Sequence, residues 1–433
     1  MSDHPTEHRR PLSRREFLRR AGATGIALPS MAAILAACGE DSGGGGGGGG
    51  GGTSPSPTLQ LARPDNPVTL PLFDSNPPIE DGLSPEAGPL RIIGYPDYIW
   101  NRILKKFTNE FGAEVEWTQY ATPEEMVREL QTHGSDFDLW VTTTVENVGK
   151  MATAQLIQPI NKSYLPNWEA NAWDGVKSEY YDVGSVYSIP YTIYSTGIAY
   201  RNDLVTDDIA AMDNPYDILF DTKYAGQTHL LNGARDTLSV PLLRMGEDIS
   251  TSDPAVLDEA KQMLLDGVSA MNWKFDHVDY NELNNQFAIH HTWGAQLTYY
   301  IYYMPEGVTI DKFTWVWPPQ EAGGKAGVLA IDLFAIPKGA KNPVLAHSLI
   351  NMLYDGDIAL ENYSYEGFQP PNKAWSADKV IADGIVPENL RNTLISEDVL
   401  PLGSNPLIVQ QYELPPAVNQ LYQQIYTEVT GGV

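Results

Sequence analysis

Apolar residues fall in short runs along this chain, and the spacing within the runs switches between two periods. Arg91-Ile92-Ile93 is strand-like and stops at Gly94. Beyond it, Ile99, Trp100, Ile103, Leu104, Phe107 and Phe111 recur at helical spacing, which predicts a helix with one buried stripe. Residues 114–119 alternate around Val115 and Trp117, as in a strand. Thr122-Pro123-Glu124-Glu125 predicts a helix start, with Thr as N-cap, Pro in the first turn and Glu at the third helical position. The run "FDLWV" at 137–141 has the length and composition of a buried strand.

The alternation continues to the far end. "YSIPYTIYSTGIAYRN" (187–202) is a long β-rich stretch punctuated by Pro and Gly, and "THLLNGARDT" (228–237) runs from strand into helix. Asp253-Pro254 opens another helix, and "FAIHHTWGAQ" (287–296) is strand-like and then helical. "FTWVWPP" (313–319) and "VLAIDLFAIP" (328–337) predict strands, and Asn342-Pro343 opens a helix carrying Leu349 and Leu353. Strands separated by helices predict an α/β protein. In open sheets of that class, ligands bind at turns beyond the carboxyl ends of strands. Three separated places there carry an acid: Asp97 and Asp236 in turns that lead into helices, and Asp332 within an apolar run. The first two are expected to cap their helices. Asp332 interrupts residues 328–336, and a charge on a buried strand is costly unless paired.

The 433 residues suffice for two domains with sizeable cores, and the formal charge of −27 speaks against a nucleic-acid partner, which needs a basic face. The single cysteine, Cys38, excludes an intramolecular disulfide. Its context is informative. Residues 13–19 read SRREFLR, a weakly apolar run follows from Ala21 to Ala37, and Leu35-Ala36-Ala37 precedes the cysteine. These are the parts of an export signal. The Arg14-Arg15 pair with Phe17-Leu18 resembles the twin-arginine signal, and Leu-Ala-Ala-Cys resembles the bacterial lipobox, whose cysteine is lipidated and becomes the new N-terminus. Cleavage there removes six arginines and three acids and leaves a charge of −30. Ten glycines, Gly43 to Gly52, then form a tether that cannot build a packed core. Residues 59–87 remain Pro-rich and irregular in pattern.

From about residue 90 to the C-terminus the chain resembles the bacterial spermidine/putrescine-binding proteins of ABC importers. "GYPDY", "FDLWVTTT", "YSIPYTIYSTGIAYRN", "LLNGARDT", "DLFAIPKGAKN" and "GFQPPN" stand in the family's order. The resemblance implies an α/β, two-lobed periplasmic-binding-protein fold of type II kind, with the ligand cleft between lobes. Residues 1–37 are then the signal peptide, 38–58 the lipidated cysteine and tether, and 59–87 a lead-in. Residues 88–197 with 332–382 form one lobe, and 198–331 with 383–433 the other. It further implies an extracytoplasmic receptor, not an enzyme and without a cofactor. A monomer, it hands a polyamine to ABC permease subunits while its lipid anchors it in the periplasm or on the outer face of the plasma membrane.

Carried over residue by residue, Tyr95 and Tyr98 match rings packed on the ligand's methylenes, and Asp97 an acid for a terminal ammonium. Thr143 matches a small hydroxyl residue, Asp236 an acid for an amine, and Trp293 a ring of the second lobe. Asp332 matches the acid at the inner amine, Phe368 an aromatic wall, and Gln410 or Gln411 a C-terminal glutamine. The chemistry fits these types: each ammonium leaving water needs a carboxylate or several acceptors, and the stem needs flat rings. Three positions depart from the family. Ala330 stands where a large aromatic is common, Gly233 where spermidine binders often have a second acid, and Gln296 where some diamine sites carry an aspartate.

Rival readings have less support. His290-His291 lacks a spaced set of further ligands, so no metal site is expected. Tyr299-Tyr300 and Tyr302-Tyr303 suggest the ferric-ion receptors of the same broad fold, but at helical spacing they cannot all face one cleft. Trp315 and Trp317 share one strand face and read as core. A tethered hydrolase with a carboxylate pair is the remaining alternative, but no nucleophile elbow, zinc motif or phosphate loop accompanies the acids.

Overall fold

The computed structural model describes residues 59–120, 123–276, 288–300, 304, 306–321 and 323–431; at 123, 124, 142, 143, 276 and 300 it describes the backbone only. The export signal, Cys38, the glycine tether, Thr122, Phe287, Tyr302 and Tyr303 lie outside the described residues.

The first part of the chain forms β1 (Leu90–Gly94), α1 (Asn101–Phe111), β2 (Val115–Gln119), α2 (Pro123–His133), β3 (Leu139–Thr144), α3 (Val145–Thr153), β4 (Ile157–Gln158), α4 (Pro166–Asn171) and the long β5 (Ser188–Arg201). The middle forms β6 (Thr228–Leu231), α5 (Ala234–Met245), α6 (Pro254–Met271), β7 (Lys274–Asp276), β8 (Ile289–Trp293), α7 (Gly294–Tyr300) and β9 (Phe313–Val316). Then come β10 (Gly327–Pro337), α8 (Pro343–Leu353), α9 (Gly356–Glu366), α10 (Ala377–Ala382), β11 (Ile408–Val409) and α11 (Pro416–Thr430).

The strand order is β2-β1-β3-β10-β5-β8-β6-β7, with β4 and β11 also on β10 and β9 on β5. β1 runs parallel to β2 and β3, and β6 runs parallel to β7 and β8. These two parallel groups are bridged by β10 and β5, which are antiparallel to each other and to their outer neighbours β3 and β8. The hydrophobic side chains accordingly form two buried clusters. One is built on Ile92, Leu139, Trp140, Phe334 and the helices around them. The other is built on Leu230, Leu238, Leu264, Ile289 and Tyr422. β5 gives Ile189 and Ile193 to the first and Ile198 and Tyr200 to the second. The fold is therefore the two-lobed α/β architecture, with the bridging strands shared by both lobes. Residues 386–408 contribute Val386, Leu390, Ile395, Leu402 and Ile408 to the first cluster, and Leu414 onward belongs to the second.

The lead-in is irregular but packed. Val68 and Leu70 are buried in the first cluster, and the backbone of Val68 exchanges hydrogen bonds with Tyr180 (2.8 Å) and Val183 (3.0 Å). No helix among the described residues is long and apolar enough to cross a membrane.

Two helix starts differ from the expected ones. α1 begins at Asn101 with Trp100 at the N-cap, so Asp97 does not cap it. Asp97 instead has a left-handed backbone, with φ of 58°, which Asp tolerates better than most residues. Residue 362 does part of the capping work, because its Oδ1 accepts the Trp100 N–H at 2.8 Å. α5 begins at Ala234 after Gly233, which puts Asp236 inside the first turn instead of at the cap. An acid there is still favoured by the helix dipole.

Candidate functional site

β10 carries the centre of the site. Asp332 is only 4 % exposed, pairs in register with Thr192 of β5, and lies opposite Thr144 of β3 on its other side. Its carboxylate accepts hydrogen bonds from hydroxyls: Tyr98 Oη donates to Oδ2, and Tyr194 Oη to Oδ1 at 3.3 Å. Tyr98 Oη also lies 3.1 Å from Thr192 Oγ1. Among the described residues no Lys, Arg or His forms an ion pair with Asp332. Burial therefore pushes its carboxyl up to about 7, with the Tyr98 hydrogen bond restraining the rise and the Glu146 carboxylate adding to it.

Rings enclose this acid. Phe368 lies 5.0 Å from Tyr98 and 5.1 Å from Tyr194, between ring centres. Trp293, at the end of β8, stands 6.2 Å from Tyr194 and 6.5 Å from Phe368. Tyr95 packs on Tyr98 at 6.3 Å and on Tyr120 at 4.7 Å. The sheet register explains how the Ala330 position is covered. Ala330 pairs directly with Tyr194, and directly paired residues point to the same face. The ring that β10 lacks is thus supplied by its neighbour strand.

Asp236 approaches from the second lobe. Its Oδ1 accepts the Gln411 amide at 2.8 Å, which settles which of the two glutamines meets it. Burial pushes the Asp236 carboxyl up, and Gln411 and Arg235 pull it down. Arg235 is itself committed, donating to the Tyr412 carbonyl (3.0 Å) and to Ser250 Oγ (2.8 Å). A Cβ at Gly233 would come within 3.2 Å of Asp236 Oδ2, so glycine leaves that carboxylate room. Tyr194 feels the charges of Asp332, Asp236 and Glu146 together, and so sits between the acids of the two lobes.

Of the expected residues, Tyr95, Tyr98, Trp293, Asp332 and Phe368 come together around one acid, and Asp236 stands on the other side of Tyr194. Asp97 stays outside this hydrogen-bond network: it is exposed and makes no hydrogen bond or ion pair. The Thr143 backbone pairs with Leu333, and its side chain lies outside the described residues. Sequence reasoning missed Tyr194, Thr192, Glu146 and Glu366. The first two had a signal, since they share a strand face by period two opposite Ala330 and Asp332. His291 is buried, and burial pushes it down to about 3, so its ring is neutral. Trp315 and Trp317 are core residues, 0 % and 1 % exposed. Tyr299 packs edge-on against Tyr365 at 6.2 Å.

The sequence matches the family model of the bacterial extracellular solute-binding proteins over residues 102–388. The chain belongs to that family. This solute-binding protein is thus a component of transport and not an enzyme. It is 29 % identical over 289 residues to the spermidine/putrescine-binding periplasmic protein of Escherichia coli, covering 66 % of this chain and 78 % of that protein. It is 26 % identical over 304 residues to a putrescine/cadaverine-binding protein of Pseudomonas aeruginosa, covering 66 % and 80 %. In fold it matches a spermidine/putrescine ABC transporter protein of Listeria monocytogenes, with a TM-score of 0.65 at 22 % identity, over 79 % of this chain and 98 % of that one. A lipoprotein of Treponema pallidum matches with a TM-score of 0.64 at 22 % identity, over 78 % and 98 %.

Proposed function

We propose that this solute-binding protein captures a polyamine between its lobes and delivers it to ABC permease subunits. The observation that carries the reading is Asp332: a buried carboxylate fed only by hydroxyl donors, without a basic partner among the described residues, inside a box of rings. A buried charge of that kind is costly until a counter-charge arrives. A protonated amine supplies the charge, and its methylenes supply apolar surface to Phe368, Trp293 and Tyr194. Asp332 then holds the inner ammonium, Asp236 with Gln411 holds another, and the exposed Asp97 with Thr143 contributes at the rim. A sugar would use the rings but would not need the acids. The relatives that carry spermidine, putrescine or cadaverine in their names support the same ligand class.

Calorimetric titration tests this with putrescine, cadaverine, spermidine, a hexose and ferric citrate. At least one polyamine should bind, and Asp332→Asn should weaken that binding by about 2–5 kcal/mol. Binding of sugar or iron alone, or an unchanged affinity in D332N, would overturn the assignment.

We further propose that twin-arginine export and lipidation of Cys38 tether the receptor, as a monomer, outside the cytoplasmic membrane. Cys38→Ser should then move it from the membrane fraction to the soluble fraction of expressing cells. Retention of the variant on membranes would rule the anchor out.

A further inference from the structure

One acid beside the site is not accounted for by this arrangement. Glu366 is the last residue of α9, one step before Gly367 and two before the Phe368 wall. Gly367 has φ of 75°, and a Cβ there would meet the Ala295 carbonyl at 2.8 Å, so the turn fixes where α9 ends. Glu366 is 5 % exposed. Its Oε1 accepts from Asn362 Nδ2 at 3.1 Å, while its Oε2 is buried without a partner. Asn362 is held in turn by the Trp100 N–H and by Tyr191 Oη (3.0 Å), which donates to the Tyr98 carbonyl at 2.6 Å. The carboxyl is thereby tied to the segment that brings Tyr98 onto Asp332.

Nothing positive faces Glu366. The titratable groups around it are Asp332 from β10, Tyr98 from the segment before α1, Tyr191 from β5 and Tyr363 from its own helix. Asp332 faces Tyr98, Tyr194 and Glu146 besides. A helix C-terminus also disfavours a negative charge. Two buried carboxyls in mutual reach cannot both ionise cheaply without a cation.

We propose that Glu366 is a second carboxylate for the ammonium group held by Asp332, protonated in the empty protein and ionised when the cation enters. The inference rests on the amine-receptor reading. The exchange balances: a carboxylic acid and a free ammonium ion become a carboxylate–ammonium pair, and one proton passes to solvent. Burial pushes both carboxyls up, and the Asp332 charge adds to the push on Glu366.

The test is titration of the full mature protein with spermidine and putrescine in phosphate and in Tris, buffers of different ionisation enthalpy. The wild type should release about one proton per ligand and bind roughly tenfold tighter for each pH unit raised between 6 and 7. Glu366→Gln, which keeps the acceptor for Asn362, should release fewer protons and bind with a flatter pH dependence. Amine binding by the wild type without proton release overturns the inference, and so does a Gln variant that releases as many protons. The wild-type proton count decides alone if the variant does not fold. Absence of any amine binding would instead overturn the receptor reading beneath it.

Discussion

Asp332 is surrounded by hydroxyls, and the hydroxyls come from different parts of the chain. Tyr98 arrives from the segment before α1, and Tyr194 and Thr192 arrive from β5. Tyr194 has two jobs there, since its Oη donates to the acid and its ring covers the space above Ala330. The two are separable. Tyr194→Ala should weaken amine binding by at least the ~0.5–2 kcal/mol of a cation–ring contact. Tyr194→Phe keeps the ring and should lose only about 0.5–1.5 kcal/mol for the hydrogen bond. Calorimetry should rank the affinities wild type, then Phe, then Ala. An Ala variant that binds like the wild type would remove Tyr194 from the site.

At the scale of elements, the site depends on buried acids that fix where strands and helices begin. Asp138 stands just before β3 and is 1 % exposed. It accepts the Arg91 N–H at 2.9 Å, and the Lys341 N–H, the Asn342 N–H and Asn342 Nδ2 each at 2.8 Å. One carboxylate thus pins β1 and β3 to the start of α8. Asp182 does the same at the entry to β5, accepting from the backbones of Val186, Tyr187 and Ser188 and from Ser188 Oγ. Asp138→Ala should cost about 2–5 kcal/mol, because several buried donors lose their acceptor together. Denaturant unfolding measures it, and a loss under about 1 kcal/mol would contradict the pinning role. The same scale explains the two displaced helix starts. Local sequence offered Asp97 and Asp236 as caps, but Asn362 and Gly233 set the real boundaries, and a partner 262 positions away leaves no local signal.

For the whole molecule, burial of acids makes the empty receptor sensitive to pH. Asp332, Glu179 and Glu413 are each pushed up to about 7 by burial. A carboxyl raised in the folded state stabilises the fold fully below its unfolded value, and that contribution is lost as pH rises through about 7. Buried His291 and His347 act the other way, but only below their usual value of 6.5. Between pH 8 and 6.5 the acids should therefore dominate, and the empty protein should gain roughly 1 kcal/mol per group on acidification. Scanning calorimetry should give a higher Tm at pH 6.5 than at pH 8. An equal or lower Tm at pH 6.5 would contradict the burial of these acids. The sequence by itself determined the α/β class, the family and most of the residues around Asp332, because strand and helix periods and ordered motifs are local properties of the chain. Only the tertiary structure decided that Tyr194 covers Ala330, that Gln411 meets Asp236, that Asp97 stands apart and that Glu366 is buried beside Asp332. Those facts come from strand register and long-range packing, which bring together residues hundreds of positions apart, and no local pattern encodes them.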